Sequence, residues 1–454
     1  MEFVIAPVIS VLSCLYNVVR NILKAIYVWF YGLWNLLWLI KELIFGKGTF
    51  GEKVSSVGVQ HAGMMVLRAF FPTIVIRKRL ITAYENTGTA VVTAAEDVRE
   101  VVNEDGVFQT AYAPKMAVLT DGGNFFLGMQ DTPQYTNNVS DLRLVANRDD
   151  IPRIITPFIA GEADRIVAGA GGHMDLPQQL TLPVMASLVG EYFGAPGPSP
   201  EKMIDWTHAM FRYIFFDFSE ASEVKQPAVQ AASEMRDYLD QLIAARKSAP
   251  AKDDVLGRCL KLQEAGMPAM SDHNIRDNFL GMLTAMVPTI PNATAKVLEV
   301  FLDKPEALAG AQVAALADDD DLLLKYVIEA FRFNPMNPVI FRIAARDYVL
   351  AEGTLRQRKI PRGTFVFAAN LSAMFDPWAV HAPQQFDVSR SPEDYILWGL
   401  GLHRCFGEYI SHAAMPAFLK PLLKQENLRR APGQAGHIQT GHGPFPWHFH
   451  IEWG

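Results

Sequence analysis

Apolar residues follow three rhythms along this chain. At the start they are almost continuous. Residues 3–19 carry no charge, nor do residues 25–40 (AIYVWFYGLWNLLWLI), and Arg20 and Lys24 separate the two runs. Each run falls a little short of the ~20 apolar residues that cross a bilayer. Lys24 and Lys41 flank the second run and can snorkel from its ends. Trp29, Trp34 and Trp38 suit the lipid–water interface. No basic segment precedes the first run and no A-x-A site follows it, so a cleaved signal peptide fits poorly. Residues 1–47 are expected to form a helical membrane anchor, either spanning or lying in the interface, with a buried helical hairpin as the alternative. Residues 48–454 are expected to form the globular body.

From about residue 52 to 340 the period is mostly helical. TAAEDVREVVNE (93–104) carries a helical apolar stripe, and so does SDHNIRDNFLGMLTAMV (271–287), opened by a Ser/Asp cap. DDDDLLLKYVIEAFRF (318–333) places acids at its start, where the helix dipole favours them. After residue 338 the texture changes to β-branched runs, with turns near Glu352-Gly353 and Pro361-Arg362-Gly363. A helix resumes after Cys405. The tail, GHGPFPWHFHIEWG, reads as a terminal strand rather than a metal site, although His448 and His450 stand at strand spacing. The pattern predicts a mixed α/β chain, mostly α-helical, with a small late β-sheet.

Composition narrows the class. Half of the residues are apolar and 20% are charged, which excludes a disordered chain. The net charge is −7 and there is no long basic run, so no nucleic-acid partner is expected. Cys14, Cys259 and Cys405 are too few and too scattered for a disulfide framework. No CxxC or HExxH occurs, so neither usual zinc signature is present.

One cysteine has unusual company. In WGLGLHRCFG (398–407), Cys405 lies among Gly399, Gly401 and Gly407, with His403 two residues before it. A metal-ligating thiolate needs nearby donors, and backbone N–H groups at a helix start supply them. Glycines let the chain turn tightly and come close to a flat cofactor. The order Trp398, Gly401, Cys405, Gly407 resembles the haem-binding signature of the cytochrome P450 family, with Trp in place of the usual Phe. Glu329 and Arg332 in IEAFRFNP resemble the family's structural E-x-x-R pair, and FDVSR (386–390) resembles the segment of its third partner. Two residues three apart on a helix share a face, as such a pair requires.

The resemblance covers about residues 52–454. It implies a P450-like fold, haem b as cofactor and Cys405 as the thiolate on its iron. His403, Arg342 and Arg143 become candidates for the haem carboxylates. Arg143 lies in DTPQYTNNVSDLR (131–143), where Tyr135 stands in place of the family's histidine. A satisfied core histidine and a strand-edge arginine are the plainer readings of His403 and Arg342. Phe125 and Phe126 fall where the family builds its variable roof, and they also suit an ordinary core.

The distal helix departs from the family pattern. Counting back from DKPEAL (303–308), the proton-relay alcohol falls on Thr289 and the acid position on Pro288. A proline supplies no carboxylate and is expected to kink the helix. Asn292 and Thr294 could offer neutral hydrogen bonds, while Thr289 could simply bond its own backbone. The leading expectation is monooxygenation of an apolar or lipid-like substrate, with electrons from a ferredoxin or flavoprotein. Isomerisation of a fatty-acid hydroperoxide, or peroxide-driven oxygenation, needs neither an electron partner nor the missing acid. A haem sensor without turnover is a third class. The expected location is a membrane, with the body on its cytoplasmic face.

Overall fold

The computed structural model describes residues 2–46, 53, 56–441 and 443–454, with side chains from residue 19 onward. The apolar start forms one continuous helix, α1 (Glu2–Phe45), rather than two pieces. Arg20 and Lys24 do not interrupt it, because both are good helix formers. Within it, Val19–Phe45 is apolar and long enough to cross a membrane by length and composition. It runs beside α2 (Val57–Phe70). A Cβ on Gly32 would lie 2.4 Å from Cβ of Ala69, so a glycine is needed where the two helices touch. α2 is tied to the body through Arg68, which is 7% exposed and donates to the carbonyl of Ser372 at 2.5 Å.

The late β region contains the expected strands Ile340–Ala344, Tyr348–Leu350, Arg358–Ile360 and Thr364–Ala368. Gly353 and Gly363 turn between them at φ of 77° and 79°, values that glycine adopts without strain. Thr364–Ala368 and Ile340–Ala344 join a five-stranded sheet whose other members come from early in the chain: Thr73–Ile76, Gly88–Val92 and Phe108–Gln109. Gly88–Val92 pairs parallel with Thr364–Ala368, and the remaining neighbours are antiparallel. These early strands are short insertions in a stretch, 52–340, that is mostly helical as its period predicts. GTAVV runs straight into the helical pattern of Ala95–Asn103 without an alternation of its own, and it is buried along nearly its whole length.

The other expected helices stand. Ser271 caps Asp272–Asp303 by accepting from the N–H of Asn274, and Asp319 caps Asp320–Phe333 by accepting from that of Leu322. The first of these runs unbroken through Pro288 and Pro291 and forms the centre of the main core. The helix after the cysteine spans Glu408–Leu423. The tail folds into the strands Phe445–His448 and His450–Glu452, as its alternation predicted.

Candidate active site

The loop from Trp398 to Gly407 is shaped by its glycines. Gly399 and Gly401 adopt φ of 73° and 65°. A Cβ on Gly401 would come within 3.1 Å of Oδ1 of Asn103, so the loop also lies close against the helix Ala95–Asn103. Cys405 donates its backbone N–H to the carbonyl of Trp398 at 2.8 Å, closing the loop. Gly407 caps the helix Glu408–Leu423 directly behind the cysteine. Arg404 and Glu408 brace that junction with two bonds of 2.6 Å.

The Cys405 side chain has open surface, and that surface faces an internal cavity of about 290 Å³. Burial pushes the thiol up to about 11, against the opposing pull of backbone donors at Gly407 and Glu408. A bound cation reverses that balance and leaves a thiolate. Cys259 is the contrasting case: it is buried in the core, and burial pushes its thiol up to about 12.

The cavity walls are apolar and aromatic, with a few polar groups turned inward. Arg342 is 3% exposed on an inner strand, paired across to Val366, so it is not a strand-edge residue. One of its nitrogens donates to the carbonyl of Phe341 at 2.9 Å, and its Nε has no partner. A buried guanidinium in that state calls for an anion. His403 lines the same space; burial and then the charge of Arg342 push it down to about 4, so it stands neutral. Asn370 also lines the cavity and leaves its Oδ1 unpaired. Its sequence context, AANLS, carried no signal of this.

Phe125 and Phe126 both line the cavity, and Phe125 is core as well. A Cβ on Gly281 would strike its ring at 2.4 Å. Tyr135 lines the cavity and donates its hydroxyl to the carbonyl of Leu402 at 2.6 Å, which steadies the cysteine loop. Arg143 is not among the residues that line the cavity, although its charge is felt at Tyr135, which is. It is exposed on the helix Pro133–Val145, three residues short of Ala146, which does reach the cavity wall.

On the distal side, the long helix presents Met282, Ala285, Met286, Thr289 and Ala293 to the cavity. Thr289 donates its hydroxyl to the carbonyl of Ala285 at 2.6 Å. Thr294 does the same to Ile290 at 2.8 Å. Pro288 and Asn292 are buried but do not line the cavity, and Asn292 leaves its Oδ1 unpaired. Among the described residues, no Asp or Glu lines the cavity.

Beneath the site, Glu329 and Arg332 form a fully buried pair with bonds of 2.9 and 2.7 Å. Glu329 also accepts from Nε of Arg390, the N–H of Asp387 and the hydroxyl of Tyr395 at 3.0–3.1 Å. Arg390 is the last residue of FDVSR. Tyr395 is a further partner whose part in the cluster shows only in three dimensions.

A thiol on the cavity floor, an unpaired buried cation at its edge and aromatic walls fit a flat, mostly apolar cofactor with anionic groups and a thiolate-bound iron. The fold and this site together define a haem-thiolate protein. The family model for cytochrome P450 matches residues 168–439. The chain belongs to the cytochrome P450 family and is an oxidoreductase of that type with a haem iron cofactor. Over 381 residues it is 24% identical to a bifunctional dioxygenase–epoxy alcohol synthase of Pyricularia oryzae, a match covering 74% of this chain and 33% of that longer protein. It is also 24% identical to cytochrome P450 monooxygenase PikC of Streptomyces venezuelae, covering 68% of this chain and 70% of that one. The ligand-free structure of cytochrome P450 TbtJ1 superposes with a TM-score of 0.72 at 21% identity, covering 87% of this chain and 97% of the other.

Proposed function

We propose that this protein isomerises a lipid hydroperoxide on haem b held by the Cys405 thiolate. Arg342 would pair with a haem carboxylate, and neutral His403 would offer a second polar contact. Trp398, set between His412 and Phe331 at ring distances of 4.4 and 5.8 Å, would pack against the cofactor. Gly401 and Gly407 keep backbone close to the porphyrin. When bound, the iron supplies the chemistry that breaks an O–O bond, helped by electron donation from the thiolate.

The observation that carries this reading is the missing acid. Oxygen activation consumes protons at the distal side, yet Pro288 stands at the expected acid position and the Thr289 hydroxyl is committed to Ala285. A hydroperoxide already contains the O–O bond. Its isomerisation to an epoxy alcohol conserves every atom and needs no external electrons or protons. The role left to the distal helix is to shape the pocket and exclude water through Met282, Ala285 and Met286. The Pyricularia relative, a dioxygenase–epoxy alcohol synthase, belongs to the same class of chemistry.

Residues 1–47 serve this body, 48–454, as a membrane anchor that lies in the interface. One face of α1 packs on α2. The other exposes Phe30, Trp34 and Leu37 at 60%, 69% and 59%, spaced four and three residues apart. An apolar face beside a body helix can sink into lipid, whereas a full span would strip α2 away from its partner. The unpaired thiols of Cys259 and Cys405 support the cytoplasmic side.

Oxygen-driven monooxygenation of an apolar substrate, with electrons from a ferredoxin or flavoprotein, is the second reading. The monooxygenase among the relatives favours it. Anaerobic incubation with a fatty-acid hydroperoxide and no NAD(P)H separates the two. The expected product is an isomer of unchanged mass. Turnover only with oxygen, NAD(P)H and a ferredoxin system would establish the second reading, and no turnover in either case would leave a haem sensor.

A further inference from the structure

A second site lies on the opposite side of the sequence's own expectation for its tail. The strand His173–Asp175 pairs antiparallel with His450–Glu452, and His450 stands directly across from Asp175. Strand alternation sorts the residues by face. Met174, Phe449 and Ile451 are fully buried, which leaves His173, Asp175, His448 and His450 together on the outer face. Nδ1 of His448 lies 2.6 Å from Oδ2 of Asp175, and Nε2 of His450 lies 3.7 Å from the same oxygen. The three ligand atoms lie within 4.8 Å of one another.

We propose that Asp175, His448 and His450 bind a divalent transition cation of the zinc type. The donor set of two imidazoles and one carboxylate suits zinc and its neighbours and disfavours calcium or magnesium. Ligands bound at roughly 2.0–2.1 Å in a tetrahedron sit about 3.3 Å apart, so changes of about 1.5 Å or less in the ligand separations build the site. The metal takes the place of the proton between His448 and Asp175. His450 turns Nε2 toward Asp175 and leaves Nδ1 at 3.3 Å from Nε2 of His173. That outer contact fixes the ring of a ligating histidine, as metal sites require. The other carboxylate oxygen, Oδ1, is held by the N–H of Phe449 at 3.0 Å, which sets the angle of Asp175. The side chains of His448 and His450 are 43% and 30% exposed, so solvent can enter and fill the fourth position. Bound there, the cation clips the last strands of the chain to a strand nearly three hundred residues earlier.

The test uses untagged, haem-loaded, full-length protein stripped with a chelator and titrated with Zn²⁺ and with Co²⁺. One equivalent per chain is expected, with Co²⁺ giving the intense visible bands of a tetrahedral N/O site. His450→Asn and His448→Asn should each weaken Zn²⁺ at least tenfold. His173→Asn should weaken it by about tenfold through ring orientation alone. His437→Asn, at an exposed histidine outside the cluster, should change nothing. Zn²⁺ should raise the thermal midpoint of the parent and not that of the His448/His450 double variant. Asp175→Asn also loosens the backbone at Phe449, so the histidine variants, with an unchanged haem spectrum as the check on folding, decide the outcome. Absence of saturable Zn²⁺ binding in the micromolar range, or binding that survives His450→Asn at full strength, would overturn the proposal.

Discussion

Replacing Glu329 by alanine removes the fully buried carboxylate that pairs with two buried arginines. Glu329 accepts from Nε and Nη2 of Arg332, Nε of Arg390, the N–H of Asp387 and the hydroxyl of Tyr395. The arginine side chains are 0% and 2% exposed, so neither guanidinium can turn to water. Their carbonyl partners survive: Arg332 still reaches Met374, Pro383 and Gln385, and Arg390 reaches His381, Ala382 and Gln385. What is lost is the compensating charge, and breaking a buried pair from one side costs about 3–5 kcal/mol. Against a total stability of about 5–15 kcal/mol, that is a third or more of the margin. Glu96→Ala is the control. Glu96 is 78% exposed on Arg356, whose other partner Asp97 remains, so the expected loss is about 1 kcal/mol or less. Urea unfolding followed by far-UV circular dichroism measures both, at equal cofactor saturation, because haem binding raises apparent stability. A Glu329→Ala midpoint within about 1 kcal/mol of the parent would show that the buried charge matters no more than a surface one, and the reasoning would fail.

Three further outcomes are expected. Arg342→Leu removes an unpaired buried cation, so the haem-free protein should become more stable while haem is lost faster to a scavenger; slower loss would contradict its pairing with a carboxylate. His61 packs edge-on against Phe375 at 4.6 Å, and burial, followed by the charges of Arg68 and Arg332, pushes it down to about 4. Between pH 6.5 and about 4 the unfolded chain therefore binds a proton that the folded chain refuses. Stability falls as pH falls through that window, by roughly 3 kcal/mol at its lower end, and a His61→Phe variant should lack that part of the slope in urea titrations. Trp34→Glu with Leu37→Glu changes two exposed residues of α1 and should abolish co-sedimentation with lipid vesicles while leaving the haem spectrum unaltered; full retention on vesicles would refute the interfacial anchor.

The parts of the fold that were readable in advance are those where one residue type does one job. Cys405 with Gly401 and Gly407, the Glu329–Arg332 spacing, and the caps at Ser271 and Asp319 are local and survive translation into three dimensions. The strands after residue 338 announced themselves by β-branched runs between glycine turns. Gly88–Val92 did not, because a strand buried on both faces has no alternation and borrows the apolar tone of the helix that follows. The single length of α1 was hidden because charges at Arg20 and Lys24 look like punctuation in a hydropathy reading and are not helix breakers. Asn370, Tyr395 and the gathering of His173 with His448 and His450 depend on contacts between distant segments, which no window of sequence displays.

The pairing of Gly88–Val92 with Thr364–Ala368 also dictates a timetable. A ribosome adding about 5–20 residues per second needs roughly a quarter of a minute to a minute to travel from one strand to the other. During that interval the nascent chain holds a naked strand edge and, from Glu329 onward, a buried carboxylate whose last partner, Tyr395, has not yet been made. Folding is therefore completed after synthesis has nearly finished, and whatever shields that edge from neighbouring chains must act while the protein is still being born.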